Sequence, residues 1–382
     1  MSTSGPWQCL GPPEGRPGLR DPAGASGGNA MPIDRREFIA SSAAAVAAAK
    51  GAIGAGAPIR AAVLGTQHGH VRGKLQAMID SPDYEIACIC EHDPAVQKRQ
   101  AADPLFQGQT WVSESELLSD QSINLVVVEC KPWQAIPWGR KVIAAGKHLH
   151  LEKPAGDTYE PFKELVDEAR SKGLLLQMGW VLRGQEGINA ALHAAKQGWL
   201  GNVHLVRGTM NSDRDQEQRD LEARYPGGAM FELLGHLIDR VLEFTGRPDK
   251  VHTWLRHDTG VDDDLKDNTL AVLEYGGGLA LISTTARMYG SGDHRSFEVI
   301  GTDGSFMVQP LGGHSKMQVA MREARGPYKQ GWQTIDLGPQ PRYIADFAEF
   351  ARAFQSETPL QQSYDHELQV HETLLKASGM MS

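Results

Sequence analysis

"HLHLEKPAG", residues 148–156, is an apolar run, Leu149 to Leu151, that stops on a carboxylate, an amine and a proline. Charged side chains are rarely buried unless they are paired. A chain that is building a buried strand therefore needs a reason to end on Glu152-Lys153-Pro154. The reason lies in the runs on either side. Upstream are "IRAAVLG" (59–65), "YEIACIC" (84–90), which ends at Glu91, and "INLVVVEC" (123–130). Downstream is "GLLLQMG" (173–179). Helical patterns lie between them, such as Trp138 to Ala145 and Pro161 to Lys172. Strands that are apolar throughout and alternate with helices predict a parallel, doubly wound sheet. Ligands in such sheets bind at the carboxyl ends of the strands, and Glu152-Lys153-Pro154 stands at one of those ends.

The bulk numbers narrow the class. A chain of 382 residues favours two domains over one. The net charge of -9 leaves no basic footprint, so no nucleic-acid partner is expected. Cys9, Cys88, Cys90 and Cys130 show no C-x-x-C spacing. The last three sit in apolar runs and read as buried thiols acting as small hydrophobes.

Residues 1–30 are rich in Gly, Pro, Ser and Arg and lack the periodicity of a core. Met31 opens "MPIDRREFIASSAAAVAAAKGAIGAGAP" (31–58). Arg35-Arg36, an alanine-rich apolar segment and small residues follow the order of a secretory signal, and the paired arginines resemble a twin-arginine one. The bland alternative is an alanine-rich tail with a chance Arg-Arg. Residues 1–57 are thus expected to be a leader, with translation beginning at Met31. The protein is expected to be exported, periplasmic in a bacterium, by the twin-arginine machinery. The apolar run falls short of the roughly 20 residues of a membrane span.

The first strand runs into "GTQHGHVRG", residues 65–73. A dinucleotide turn wants G-x-G-x-x-G at this place. Gly65 fits the first position, but Gln67 and His70 hold the other two. A Cβ at 67 would crowd a pyrophosphate unless Gly69 takes the close-approach role. His68 and His70 are candidates for contact with cofactor or substrate, although such loop histidines are more often merely exposed. Glu91, ending the second strand, can accept from ribose hydroxyls and would repel a 2′-phosphate, which favours NAD over NADP.

At "AGKHLHLEKPAG" (145–156) the chain resembles the glucose-fructose oxidoreductase and inositol dehydrogenase (Gfo/Idh/MocA) family, whose marker is A-G-K-H-V-x-x-E-K-P. A second block, "GGAMFELLGHLID" (227–239), is similar to the family's G-G-x-x-x-D-x-G-x-H-x-x-D. Glu232 stands for the Asp and Leu234 for the Gly, while His236 and Asp239 match. The chain departs at "ECKPWQAI" (129–136), where Ala135 replaces a family histidine. The resemblance implies a Rossmann domain, residues 58–182, followed by an α/β domain with a mostly antiparallel open sheet, residues 183–382. Strand patterns at 203–209, 251–256, 269–275, 280–285 and 297–300 fit that second domain. Gly276-Gly277-Gly278 is a hairpin signal.

Glu232, His236 and Asp239 are spaced to share one helical face. His236 can take a proton from a hydroxyl, with Glu232 orienting the imidazole and Asp239 as its substitute or as a substrate ligand. E-x-x-x-H lacks the second histidine of a zincin, so no metal is expected. What the resemblance adds is a role for Lys153, which would stabilise alkoxide charge on the substrate. It also implies a cofactor set of Gly65, Gln67, His68, Gly69, His70, Glu91, Glu152 and Lys153, and a sugar-like alcohol as substrate. Trp180, Arg183 and the segment 211–224 are candidates for substrate contact, the segment being equally readable as a solvated flap. Free NAD is not expected outside a cell, so an exported enzyme should hold it tightly and recycle it. That allows coupled oxidation and reduction of two sugars, or a redox-neutral glycosidase or lyase reaction through transient ring oxidation. A non-catalytic sugar-binding protein of the same fold is the other class. An open sheet face predicts a homo-oligomer.

Overall fold

The computed structural model of the protein describes residues 57–382. The leader, the paired arginines and the start at Met31 lie outside the described residues. Five strands form the first sheet: β1 (Ile59–Leu64), β2 (Tyr84–Cys90), β3 (Leu125–Val128), β4 (His148–Leu151) and β5 (Leu176–Met178). Every pairing is parallel, in the order β2-β1-β3-β4-β5. The strands are apolar on both faces because helices cover both. Among these helices are α1 (Val71–Ile79), α2 (Pro94–Ala101), α3 (Glu114–Ser119), α4 (Pro132–Ala144) and α5 (Tyr159–Ser171). In α5 the buried residues are Phe162, Leu165, Val166 and Ala169, the i, i+3, i+4, i+7 stripe of a helix lying on a core. Each large apolar side chain so buried contributes about 1.5–3 kcal/mol. The order of the sheet reverses between β1 and β3, and a cleft opens where the carboxyl ends of these strands diverge.

The second half is laid down by α6 (Glu186–Lys196), β6 (Val203–Thr209), α7 (Gln216–Glu222), α8 (Ala229–Leu233), α9 (Gly235–Thr245), β7 (Lys250–Arg256), β8 (Asn268–Tyr275), β9 (Gly278–Thr285), β10 (Ser296–Gly301), β11 (Gly304–Gln309), β12 (Gly313–Met321) and β13 (Gly331–Gln340). Its eight strands run β13-β12-β11-β10-β6-β9-β8-β7. Only β6 with β9 pairs in parallel; the other neighbours are antiparallel. Gly276-Gly277 closes the β8–β9 hairpin as expected. One face is covered by helices, α9 against β6 and β9 and α8 against β8 and β9. The other face is open. It presents Trp254, 51% exposed, and Leu279, 43% exposed, beside the half-buried Leu270, Val272 and Leu281.

Two further helices, α10 (Ile344–Gln355) and α11 (Tyr364–Ala377), follow among the described residues. Helix α10 returns to the first sheet. Tyr343, Phe347, Phe350 and Ala351 share a core with Ile59, Val63 and Leu75, and the Tyr84 hydroxyl donates to the Phe347 carbonyl at 2.7 Å. Among the described residues no helix is long and apolar enough to cross a membrane.

Candidate active site

The cleft at the carboxyl edge of the first sheet has a volume of about 340 Å³, within the range of small-molecule sites. His68, Gly69, His70 and Lys153 line it from the first sheet, and Glu232 and His236 from the second half. A larger cavity of about 1050 Å³, between Asn124, Leu174, Thr358 and Tyr364, contains neither Lys153 nor His236. The chemistry therefore belongs to the smaller space.

Lys153 lies two residues beyond the end of β4 and its peptide bond to Pro154 is cis. Its amine donates to Oε1 of Glu232 at 2.8 Å and to the Glu232 carbonyl at 3.0 Å. Burial works against ionising Glu232, but Lys153, His68 and Arg214 together outweigh it and hold the carboxyl below the usual range. Helical spacing puts Glu232 and His236 on one face as an orienting pair. That pairing is not formed: α8 ends at Leu233, α9 starts at Gly235, and Glu232 turns to Lys153 instead. His236 is only 2% exposed, and its Nδ1 has no hydrogen-bond partner. Burial, then the Lys153 and His70 charges, push its pKa well below 6.5, so the imidazole is neutral and free to accept a proton. The indole of Trp180 meets it edge-on, with ring centroids 5.6 Å apart.

Trp180, Arg183 and Asp239, candidates for substrate contact, lie behind this wall rather than on it. Arg183 donates to Asp239 at 2.6 Å and to Glu367 at 2.8 Å. Trp180 Nε1 donates to Glu367 at 3.0 Å, and His366 lies 3.0 Å from Asp239. Burial opposes ionising Asp239, yet Arg183 and His366 hold it far below the ordinary range. The five groups fasten α9 to α11 behind His236. The segment 211–224 forms one wall of the cleft, while its outer side chains, such as Asp213, Glu217 and Asp220, stand in water. Arg219, 1% exposed, ties α7 to Asp263 and Asp267, and the same helix brings Leu221 and Glu222, with the exposed Gln218, to the cleft. Burial raises the Glu222 carboxyl to about 7 even with Arg214 beside it. Arg224 stacks 4.9 Å over the ring of Trp133.

The turn after β1 fits a dinucleotide in its backbone. Gly65 has φ +87°, and a Cβ there would stand 2.6 Å from the Glu129 carbonyl and from Trp138. Only glycine fits such a place. Gln67 does not crowd the loop as feared: its amide swings aside to Glu91 at 3.1 Å, and the space above Gly69 is open. Glu91 also accepts from the amide (2.8 Å) and hydroxyl (2.7 Å) of Thr66. Burial works to raise its pKa, but these bonds and the Asp93 amide lower it, so the carboxylate stays ionised at the end of β2, where a ribose would be met.

Beneath the turn lies a cluster that sequence reasoning missed in part. Lys74 of α1, 1% exposed, bonds both Glu129 and Glu152. Burial works to lower its pKa, and the two carboxylates more than reverse that. Glu152 contacts His70 at 3.1 Å and His68 at 3.6 Å. It does not line the cleft but holds the loop that does. These three groups, His68, His70 and Glu152, are also close enough to one another to hold a metal ion. Burial opposes ionising Glu152, but His68, Lys74 and His70 hold it well below its usual range. A signal for Lys74 existed: it occupies the apolar stripe Val71, Lys74, Leu75, Met78 of α1.

Comparison with known proteins agrees with this geometry. The NAD-binding Rossmann model of the GFO/IDH/MocA oxidoreductase family matches residues 59–180, and the C-terminal domain model of the same family matches residues 188–307. An uncharacterised oxidoreductase of Schizosaccharomyces pombe is 30% identical over 65% of this chain and 70% of its own. Mouse trans-1,2-dihydrobenzene-1,2-diol dehydrogenase is 26% identical over 61% of this chain and 69% of its own. The solved structure of levoglucosan dehydrogenase with NADH and levoglucosan superposes with a TM-score of 0.73 at 19% identity, covering 85% of this chain and 97% of that one, which shows a common fold. The chain belongs to the GFO/IDH/MocA family and is an NAD(P)-dependent oxidoreductase.

Proposed function

We propose that this enzyme oxidises a secondary alcohol of a sugar-like or polyol substrate, with Lys153 and His236 acting on the same carbinol. The observation that carries this reading is that an amine from the first sheet and a neutral imidazole from α9 line one cleft. A bound nicotinamide supplies the acceptor for the carbinol hydride. The neutral imidazole of His236 takes the hydroxyl proton. The Lys153 amine, steadied by Glu232, donates to the substrate oxygen and stabilises the charge that develops there. The names of two similar proteins, a diol dehydrogenase and levoglucosan dehydrogenase, support this substrate class.

NAD is favoured over NADP because the ionised Glu91 would repel a 2′-phosphate. Arg35-Arg36 supports export by the twin-arginine route, and with it a cofactor that stays bound through many turnovers. The open face around Trp254 supports self-association. The test is native mass spectrometry of the purified protein, followed by a panel of sugars and polyols. Release of NAD on denaturation and its reduction by one member of the panel are expected. A protein that carries no dinucleotide would defeat the tight-binding reading, and failure of every alcohol would defeat the substrate class.

Glu222 favours a second reading, redox-neutral cleavage through transient ring oxidation. Its pKa of about 7 and unpartnered Oε2 give the cleft a second proton carrier, which an elimination needs and hydride transfer alone does not. Cleavage of a glycoside without net NADH would support it. Stoichiometric NADH and an intact glycosidic bond would reject it.

A further inference from the structure

We propose that the substrate carries an anionic group, a carboxylate or a phosphate, held by Arg295 and Arg342 with Arg214 as a third donor. The proposal rests on the reading of the cleft given above. Five cationic side chains line that cleft, Lys131, Lys153, Arg214, Arg295 and Arg342, against only Glu222 and Glu232. Two of the five are already matched: Lys153 with Glu232 at 2.8 Å and Arg214 with Glu222 at 2.7 Å. Arg295 and Arg342 form no ion pair among the described residues. Arg295 donates through Nε to the Asn211 carbonyl at 3.0 Å, and Arg342 bonds the Tyr343 hydroxyl. Two guanidinium groups beside a cleft with no carboxylate of their own make a site that is short of negative charge.

The three arginines come from distant parts of the chain. Arg214 follows β6, Arg295 precedes β10 and Arg342 follows β13. The fold brings them to one end of the second sheet. Burial, then the charges of Arg342 and Arg214, lower the Arg295 pKa to about 10, the effect of like charges crowded out of water. Arg342 is presented by Tyr343, a buried non-glycine residue with φ +70°. Such a backbone is strained for a residue with a Cβ and persists where its surroundings impose it. A small cavity of about 20 Å³ adjoins the cleft and shares Val181, Met210, Arg295 and Arg342 with it, room for about one water. Guanidinium forks match planar carboxylate and tetrahedral phosphate alike. The anion belongs to the substrate and not to the dinucleotide, whose phosphates are expected at the turn from Gly65 to His70, on the other sheet.

The test is calorimetric titration of the full chain, with its dinucleotide bound, by D-glucuronate, D-glucose 6-phosphate and D-glucose. At least one anion is expected to bind about 30-fold more tightly than glucose, and which one it is separates carboxylate from phosphate. Arg295→Met with Arg342→Gln should shrink that gap to about threefold while glucose affinity holds, as charge-assisted bonds are removed. Raising KCl should weaken the anion and spare glucose, a measurement on the unaltered protein that serves if the double variant does not fold. Glucose binding as tightly as both anions, absence of binding by either anion, or a salt-independent preference would overturn the proposal. Dinucleotide reduction is read in the same samples. An anion preference without reduction leaves the site standing and removes the alcohol-oxidising reading, whereas reduction by glucose without an anion preference does the reverse.

Discussion

The amine of Lys153 lies 2.8 Å from Oε1 of Glu232, which fastens the carboxyl end of β4 to helix α8 and aims a charged donor across the cleft. Removing that donor should cost chemistry rather than binding. Lys153→Met is expected to lower kcat by about 10²–10³-fold, the usual loss of a donor to developing oxyanion charge. Dinucleotide affinity, followed by fluorescence titration, should stay within a few-fold. A Lys153→Met enzyme with near-normal kcat would remove the amine from the reaction.

His236 is neutral throughout the ordinary pH range because burial and Lys153 depress its pKa. The base form is the active one, so activity should fall only as pH drops through that depressed value. The acid limb of kcat/KM is therefore expected below the 6.5 of a free imidazole. His236→Asn should lower kcat by about 10²–10⁴-fold and abolish that limb. A limb that survives the substitution belongs to another group.

Among the described residues Lys74 is the one lysine or arginine paired with Glu129 and Glu152, in a site with almost no exposure. Lys74→Met leaves two buried carboxylates facing each other. The expected loss is about 3–5 kcal/mol of stability, as for breaking a buried ion pair from one side. Urea unfolding measures it, and Lys74→Met with Glu129→Gln should recover part of the loss.

Two further histidines set the acid stability. Burial lowers His150 to about 3 and His371 to about 4. Both are depressed in the folded state, so the unfolded chain binds more protons as pH falls below 6.5. Stability should be full above that pH and decline from about 6.5 toward 4 for His371 and toward 3 for His150. Thermal melts across this window check the sign. His371→Gln should flatten the upper part.

Trp254 stands half exposed on the open face of the second sheet, among Leu270, Val272, Leu279 and Leu281. Trp254→Glu is expected to shift the protein to a smaller species in sedimentation velocity without lowering turnover per chain. A monomeric parent protein would remove the proposed self-association.

Much of this was legible beforehand. Strands β2, β3 and β4 are each followed by a glutamate, Glu91, Glu129 and Glu152, and that repeated change from apolar to acidic marks the functional edge of a parallel sheet. Strands β11 to β13 were not read. In β12 the exposed positions carry Lys316 and Gln318, and β13 contains Gly338 and Pro339, so composition argues for a loop while cross-strand pairing makes a ladder. The pairing of Glu232 with Lys153 rather than His236 depends on a break at Leu234 that helical spacing cannot reveal. Arg183 and Asp239 lie 56 residues apart, and no local pattern tells a ligand-binding arginine from one that anchors a helix.

The return of α10 to the first sheet bears on how the polypeptide is made. Phe347 and Phe350 seal a core whose other members, Ile59, Val63 and Leu75, leave the ribosome nearly three hundred residues earlier. A nascent chain halted before residue 343 has its nucleotide-binding lobe unsealed, with apolar surface in water. That lobe can close only once residues 343–355 have emerged, so the cofactor pocket is completed after the strands of both sheets have been made and not domain by domain from the amino-terminal side.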